Sequence, residues 1–172
     1  WNLSPADIVA SHRATPFHGL LLASPANPTG AAVTRDQLAA IVAACARLGM
    51  RFISDEIYHG LDYRGVSVSA LEFTRDAIII NSFSKYYCMT GWRIGWMVLP
   101  EDLLRRVQIL QQNLFIAAPT LSQVAAIAAL DERDYCEMQK AHYAENRTLL
   151  SAGLRSLGIG VDEGDGAFYA YG

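Results

Sequence analysis

The sequence predicts an α/β protein with a mostly parallel sheet flanked by helices, and three observations carry that prediction. Residues 20–23, 51–54 and 77–81 are short apolar runs with the length of strands buried on both faces. A capped amphipathic helix lies between the first two, and strand, helix, strand at this length makes a right-handed crossover unit. Each run leads directly into a polar cluster: Ser24-Pro25-Ala26-Asn27-Pro28-Thr29-Gly30, then Ser54-Asp55-Glu56-Ile57-Tyr58, then Ser82-Phe83-Ser84-Lys85.

The helix between the first two strands is well marked. Thr34-Arg35-Asp36-Gln37 can form a capping box, Leu38, Ile41, Val42 and Cys45 give one apolar face, and Gly49 supplies the stop. The link from Asp55 to Ala77 is less regular, with Gly60, Gly65 and several serines, and a short helix is expected near Ser69–Phe73. Trp96-Met97-Val98-Leu99 reads as a fourth strand, stopped by Pro100. Helices are expected from about Glu101 to Phe115, with Leu103, Val107, Leu110 and Leu114 on one face, and from Pro119, in the first turn, to about Leu130. A long helical pattern covers 132–157 and ends near Gly158, before a Gly/Asp-rich stretch that breaks to Ala167-Phe168-Tyr169-Ala170-Tyr171.

Composition narrows the function classes. The chain has 172 residues, 52% of them hydrophobic and 18% charged, which is ordinary for a soluble globular protein. Fourteen basic residues against seventeen acidic ones leave a net charge of −3, and no Lys/Arg stripe forms, so nucleic acid is not an expected partner. No apolar stretch reaches the eighteen or so residues that a membrane span needs. Cys45, Cys88 and Cys136 are odd in number, far apart and never in a Cys-x-x-Cys pair, which suits reduced thiols in the cytoplasm. Cys88 is close in sequence to Lys85. His12, His18, His59 and His142 lack metal-ligand spacing and are read as structural.

The third polar cluster carries the chemistry. Ser82, Ser84 and Lys85 are followed by Arg93 in Thr90-Gly91-Trp92-Arg93-Ile94-Gly95, which puts an amine beside two hydroxyls and a guanidinium. The amine can form a Schiff base with an aldehyde, while Arg93 grips a phosphate through paired charge-assisted hydrogen bonds and the serines donate further ones. Pyridoxal phosphate presents both groups. In an open α/β sheet, ligands bind outside the carboxyl ends of the strands, where all three clusters would converge.

The ordered set Asn27, Asp55, Tyr58, Ser82, Lys85 and Arg93, in the motifs Asn-Pro-Thr-Gly, Asp-Glu-Ile-Tyr, Ser-Phe-Ser-Lys and Gly-Trp-Arg-Ile-Gly, resembles the class I/II aminotransferases, pyridoxal-phosphate enzymes of fold type I. The resemblance spans essentially the whole chain. It implies that residues 1–150 are the C-terminal part of a cofactor-binding large domain and that 151–172 begin a small C-terminal domain. The long helix would join the two, with a natural boundary at about 145–158, and Gly166–Tyr169 would be an early strand of the small domain.

The resemblance also implies roles. Lys85 holds the cofactor and then moves a proton, Asp55 faces the pyridine nitrogen, and Asn27 and Tyr58 face the phenolic oxygen. Ser82, Ser84 and Arg93 take the phosphate. Tyr63 and Tyr169 suit either the substrate pocket or core packing, and Glu56 is expected to cap the following turn. The implied substrates are an amino acid and a 2-oxo acid, and the implied assembly is a homodimer. Family members are more than twice as long as this chain, so it is expected to be an internal segment that alone binds the cofactor weakly or not at all and has no turnover. Two alternatives stand beside the transaminase: a lyase on the same scaffold, and an aminotransferase-like sensor domain of a transcription regulator.

Overall fold

The computed structural model describes residues 3–65 and 67–172. Strands β1 (Gly19–Ala23), β2 (Arg51–Asp55), β3 (Ile78–Ser82) and β4 (Gly95–Val98) form one sheet in that spatial order. The first three are parallel, with Ala23 opposite Asp55 and Asp55 opposite Ile80. The fourth is antiparallel to β3, with Ser82 opposite Gly95. The helices are α1 (Pro5–Ala14), α2 (Arg35–Arg47), α3 (Glu101–Leu114), α4 (Thr120–Ala129) and α5 (Arg133–Ser156), and single 3₁₀ turns occupy Ala70–Glu72 and Thr90–Trp92.

Helix α2 is the β1-to-β2 crossover, and its ends follow the sequence signals. Thr34 Oγ1 accepts from Gln37 N at 3.3 Å, and Gln37 Oε1 accepts from Thr34 N at 2.8 Å. Gly49, at φ 66°, takes the left-handed conformation that ends the helix at little steric cost. The buried face of α2, with Leu38, Ile41, Val42 and Cys45, packs with Ile8 of α1, Met50, Phe52 of β2 and Ile79 of β3 into the main core.

Helix α1 was not anticipated, although its start has a full set of local signals. Ser4 Oγ accepts from Asp7 N at 3.2 Å, Asp7 Oδ2 accepts from Ser4 N at 3.0 Å, and Pro5 opens the helix. Its apolar signal is weak, since Ile8 is its only buried side chain among the described residues. The expected helix near Ser69–Phe73 is the 3₁₀ turn at Ala70–Glu72, and Pro119 caps α4 from outside instead of occupying its first turn. The α3 face at Leu103, Val107, Leu110 and Leu114 is mostly uncovered, with Leu114 70% exposed, and every residue of β4 is exposed.

The expected strand over Gly166–Tyr169 does not form. Gly166 makes a single bridge to Asp62, and Ala167 then turns the chain at φ 60°, which no extended run can contain. Its N–H donates to Leu61 O at 2.9 Å and its carbonyl accepts from Tyr63 Oη at 2.7 Å, so these backbone groups serve the loop after β2 and not a ladder.

Ile41 has no exposed surface. Ile41→Ala should therefore cost about 2–5 kcal/mol of stability in the polypeptide that carries this chain. Urea unfolding checks this, and an unchanged midpoint would show that the α2 face is not part of a cooperative core.

Candidate functional site

The three parallel strands deliver their following loops to one edge of the sheet. After β1, Ala26 N donates to Ala31 O at 2.9 Å and Gly30 N to Ala26 O at 2.7 Å, closing a compact turn with Asn27 at its exposed tip. Ser24 Oγ accepts from Val33 N at 3.0 Å and ties the turn's base. Gly30, at φ 69°, lies against Gly164 and Gly166, where any side chain would collide with backbone. The turn therefore docks on the chain that follows α5, with Gly166 N donating to Gly30 O at 2.9 Å.

At the end of β2, successive side chains take opposite faces. Asp55 is half-buried and accepts only from Ile57 N, at 3.2 Å, among the described residues. Glu56 is buried at 3% exposure, and its Oε1 accepts from Ser54 Oγ (3.0 Å), Ser69 Oγ (3.0 Å) and Ala70 N (2.9 Å). His59 Nδ1 is 3.3 Å from Glu56 Oε2, which makes this histidine a structural partner. Glu56 thus caps the distant turn at Ala70 and not, as expected, the turn that directly follows it, where the Ile57 N–H goes to Asp55 instead.

Tyr58 is buried, and its hydroxyl bonds to the hydroxyl of Tyr169. Burial first, then the Tyr169 bond and the nearby Asp55 charge, push its phenol well above the ordinary value of 10.0, while a hydrogen bond with the Asn27 side chain pulls the other way. Lys85 Nζ sits 5.5 Å from the Tyr58 ring centre and 5.6 Å from that of Phe168, a placement in which ring faces stabilise an ammonium by about 0.5–2 kcal/mol. Lys85 has no ion pair among the described residues.

Ser82 ends β3, and Ser84 and Arg93 lie with Lys85 on the β3–β4 connection. Ser82 Oγ donates to Ile94 O at 3.1 Å, lies 2.9 Å from Ser84 Oγ and accepts from Ser84 N at 3.0 Å, so it ties the two ends of the loop. Cys88, at φ 56°, donates its N–H to Lys85 O at 3.0 Å. Arg93 is exposed and left-handed at φ 50°, and its Nη1 donates to Thr90 O at 3.1 Å. Tyr58 thus meets Lys85 with its ring and Asn27 with its hydroxyl, and the Asp55 charge lies near it, whereas Arg93 is held by its own turn.

The sequence reading missed Phe168 and left Tyr169 undecided. Both come from a turn more than a hundred residues downstream of Tyr58, and no local pattern tells where that turn docks. A cavity of about 320 Å³ opens between them and Tyr143, Arg147 and Leu150 of α5. No group of three His, Cys, Asp or Glu residues suited to a metal occurs among the described residues, and no helix there is long and apolar enough to cross a membrane.

An open α/β sheet gathers, at the carboxyl edge where such sheets bind ligands, a lysine beside two aromatic rings, a half-buried carboxylate and a serine-lined loop. The chain belongs to the aminotransferase class I and II family, whose profile matches residues 6–172. It is 47% identical over 161 residues to a valine–pyruvate aminotransferase of Mycobacterium tuberculosis, covering 91% of this chain and 42% of that protein. A Streptomyces avermitilis aspartate aminotransferase is 36% identical over 88% of this chain and 39% of its own length. A crystal structure of an aminotransferase from Mycobacterium tuberculosis superposes with a TM-score of 0.91 at 43% identity, over 98% of this chain and 44% of that one. The chain spans about two fifths of the length of these curated relatives.

The raised phenol of Tyr58 has a consequence at high pH. A group whose folded pKa exceeds its unfolded value contributes stability that is fully present below the unfolded value, near pH 10, and lost as pH rises through the folded one. Tyr58→Phe should flatten that alkaline loss in denaturation curves taken from pH 8 upward, about two units below the ordinary tyrosine range. An identical alkaline slope in the variant would contradict the buried, paired phenol.

Proposed function

We propose that the polypeptide carrying this chain is a pyridoxal-phosphate-dependent aminotransferase that moves an amino group from an amino acid to a 2-oxo acid, working as a homodimer in the cytoplasm. The observation that carries this reading is the Lys85 amine, free of any carboxylate among the described residues and facing Tyr58 and Phe168. The donor set suits the cofactor. Lys85 is an amine for its aldehyde, Asp55 has one carboxylate face open, and Arg93 has no carboxylate partner among the described residues. Family membership and the transaminase names of the relatives support the reaction type. Three free thiols support a reducing compartment, and the exposed apolar side chains of α3, α4 and β4 support burial against further protein.

Pyridoxal phosphate, when bound, supplies an electron-accepting ring that makes the Cα proton of an amino acid acidic enough to move. Lys85 would hold the aldehyde carbon and would be the base for the proton at Cα. Asp55 would hold the proton on the pyridine nitrogen. Asn27 and Tyr58 would take the phenolic oxygen, and Ser82, Ser84 and Arg93 the phosphate. In this reading 1–150 belong to the cofactor-binding domain and 151–172 begin the smaller one, with α5 running unbroken between them.

The test is amino-acid-dependent release of a 2-oxo acid by the full polypeptide, measured for the parent, Lys85→Ala and Asp55→Asn. Lys85→Ala should fall to background, and Asp55→Asn should lose about a hundredfold or more, because an amide cannot hold the ring proton by charge. Parent-like rates in either variant would remove that residue from the mechanism. Elimination products in place of a 2-oxo acid and an aminated acceptor would replace the transaminase with a lyase.

A further inference from the structure

We infer that Tyr169 is a positioning residue for Tyr58: the two hydroxyls can exchange donor and acceptor roles, so Tyr58 can turn its proton toward an anionic oxygen at the Lys85 site without leaving Tyr169 unpaired. The inference rests on the proposed function only for the identity of that oxygen, the phenolic one of pyridoxal phosphate.

The geometry is specific to a hydroxyl pair. A phenol has one proton to give and lone pairs to accept with, and two phenols in contact satisfy each other in either direction. Tyr58 is buried, so a partner for its hydroxyl is required and not optional. Tyr169 is half-buried beside it, with ring centres 5.6 Å apart and rings nearly perpendicular at 72°. Phe168, the preceding residue, meets the same Tyr58 ring edge-on at 5.7 Å and also lies over the Lys85 amine. One turn of chain therefore touches both the tyrosine and the lysine.

That turn is held on both sides, which fixes where the Tyr169 hydroxyl sits. Gly166 N and Ala167 N donate to Gly30 O and Leu61 O, each at 2.9 Å, and Tyr63 N donates to Asp165 O at 2.9 Å. Arg147 of α5 stacks over the Tyr63 ring at 4.3 Å and donates to Gly164 O. When Tyr169 donates to Tyr58, the Tyr58 proton becomes a stronger donor outward, because successive hydrogen bonds polarise one another. A phenylalanine at 169 keeps the ring contacts and loses this relay alone. The ionisable groups around Tyr58 are Asp55 on β2, Lys85 and Tyr86 on the β3 loop, Tyr143 on α5 and Tyr169 itself.

The experiment uses the full polypeptide as parent, Tyr169→Phe, Tyr58→Phe and the double variant. Three readouts are taken: the Cζ resonance of Tyr58 in tyrosine-labelled protein across pH, hydrogen exchange over residues 164–171, and the dissociation constant for pyridoxal phosphate. Tyr169→Phe should leave exchange over 164–171 as in the parent, move the Tyr58 resonance of the cofactor-free protein, in which Tyr169 accepts from Tyr58, so that it titrates at lower pH, and weaken pyridoxal phosphate by about three- to tenfold, the size of one hydrogen bond. In the Tyr58→Phe background the second substitution should weaken binding no further. An unmoved Tyr58 resonance, or losses of affinity that add in the double variant, would overturn the inference and leave Tyr169 as packing. Faster exchange over 164–171 in Tyr169→Phe would overturn it too, by showing that the hydroxyl only docks the turn. If none of the proteins binds pyridoxal phosphate while the Tyr58 resonance still moves, the pairing is supported and the proposed function is what fails.

Discussion

The site depends on the parallel register that sets Ala23, Asp55 and Ile80 side by side. Because β1, β2 and β3 run the same way, with β3 ending two residues past the level of Ala23 and Asp55, the turn at Asn27, the Asp55–Tyr58 loop and the Ser82–Lys85 segment leave the sheet on one edge. A slip of one residue in β2 would exchange the two faces of the strand. It would turn Asp55 inward and expel Glu56, whose carboxylate satisfies two serine hydroxyls and the Ala70 N–H in the interior. Removing one side of such a buried bond costs about 1–3 kcal/mol, so Glu56 guards the register on which the position of Asp55 depends.

A second constraint closes the site from the far end of the chain. Helix α5 carries the polypeptide back so that Gly164–Tyr169 meets the turns after β1 and β2. The approach is close enough that Gly30, Gly164 and Gly166 have no room for side chains. Backbone hydrogen bonds across that contact put Phe168 against Lys85 and Tyr169 against Tyr58, and this makes the lysine environment a product of three distant segments. The lysine loop itself is rigid for local reasons, through Ser82 and Ser84 and the Cys88 N–H bond back to Lys85 O.

Legibility in the sequence followed the range of the forces involved. Strands β1 to β4 and helix α2 were readable because apolar runs, a capping box and a stop glycine act within a few residues. Helix α1 escaped because a single buried side chain gives almost no periodicity, even though Ser4, Pro5 and Asp7 announce its start. The supposed strand after Gly166 failed because Ala167 spends its backbone groups on Leu61 and Tyr63, which lie about a hundred residues earlier. For the same reason, the pairing of Tyr58 with Tyr169 is a tertiary fact with no local trace.

The central claim is that Lys85 is the amine on which this site's cofactor chemistry is built. It is tested most directly by reducing the full polypeptide with sodium borohydride in the presence of pyridoxal phosphate and mapping the modified peptide by mass spectrometry. The account predicts one stoichiometric modification, on Lys85. Modification at Lys140 instead, or scattered labelling without preference, would contradict it.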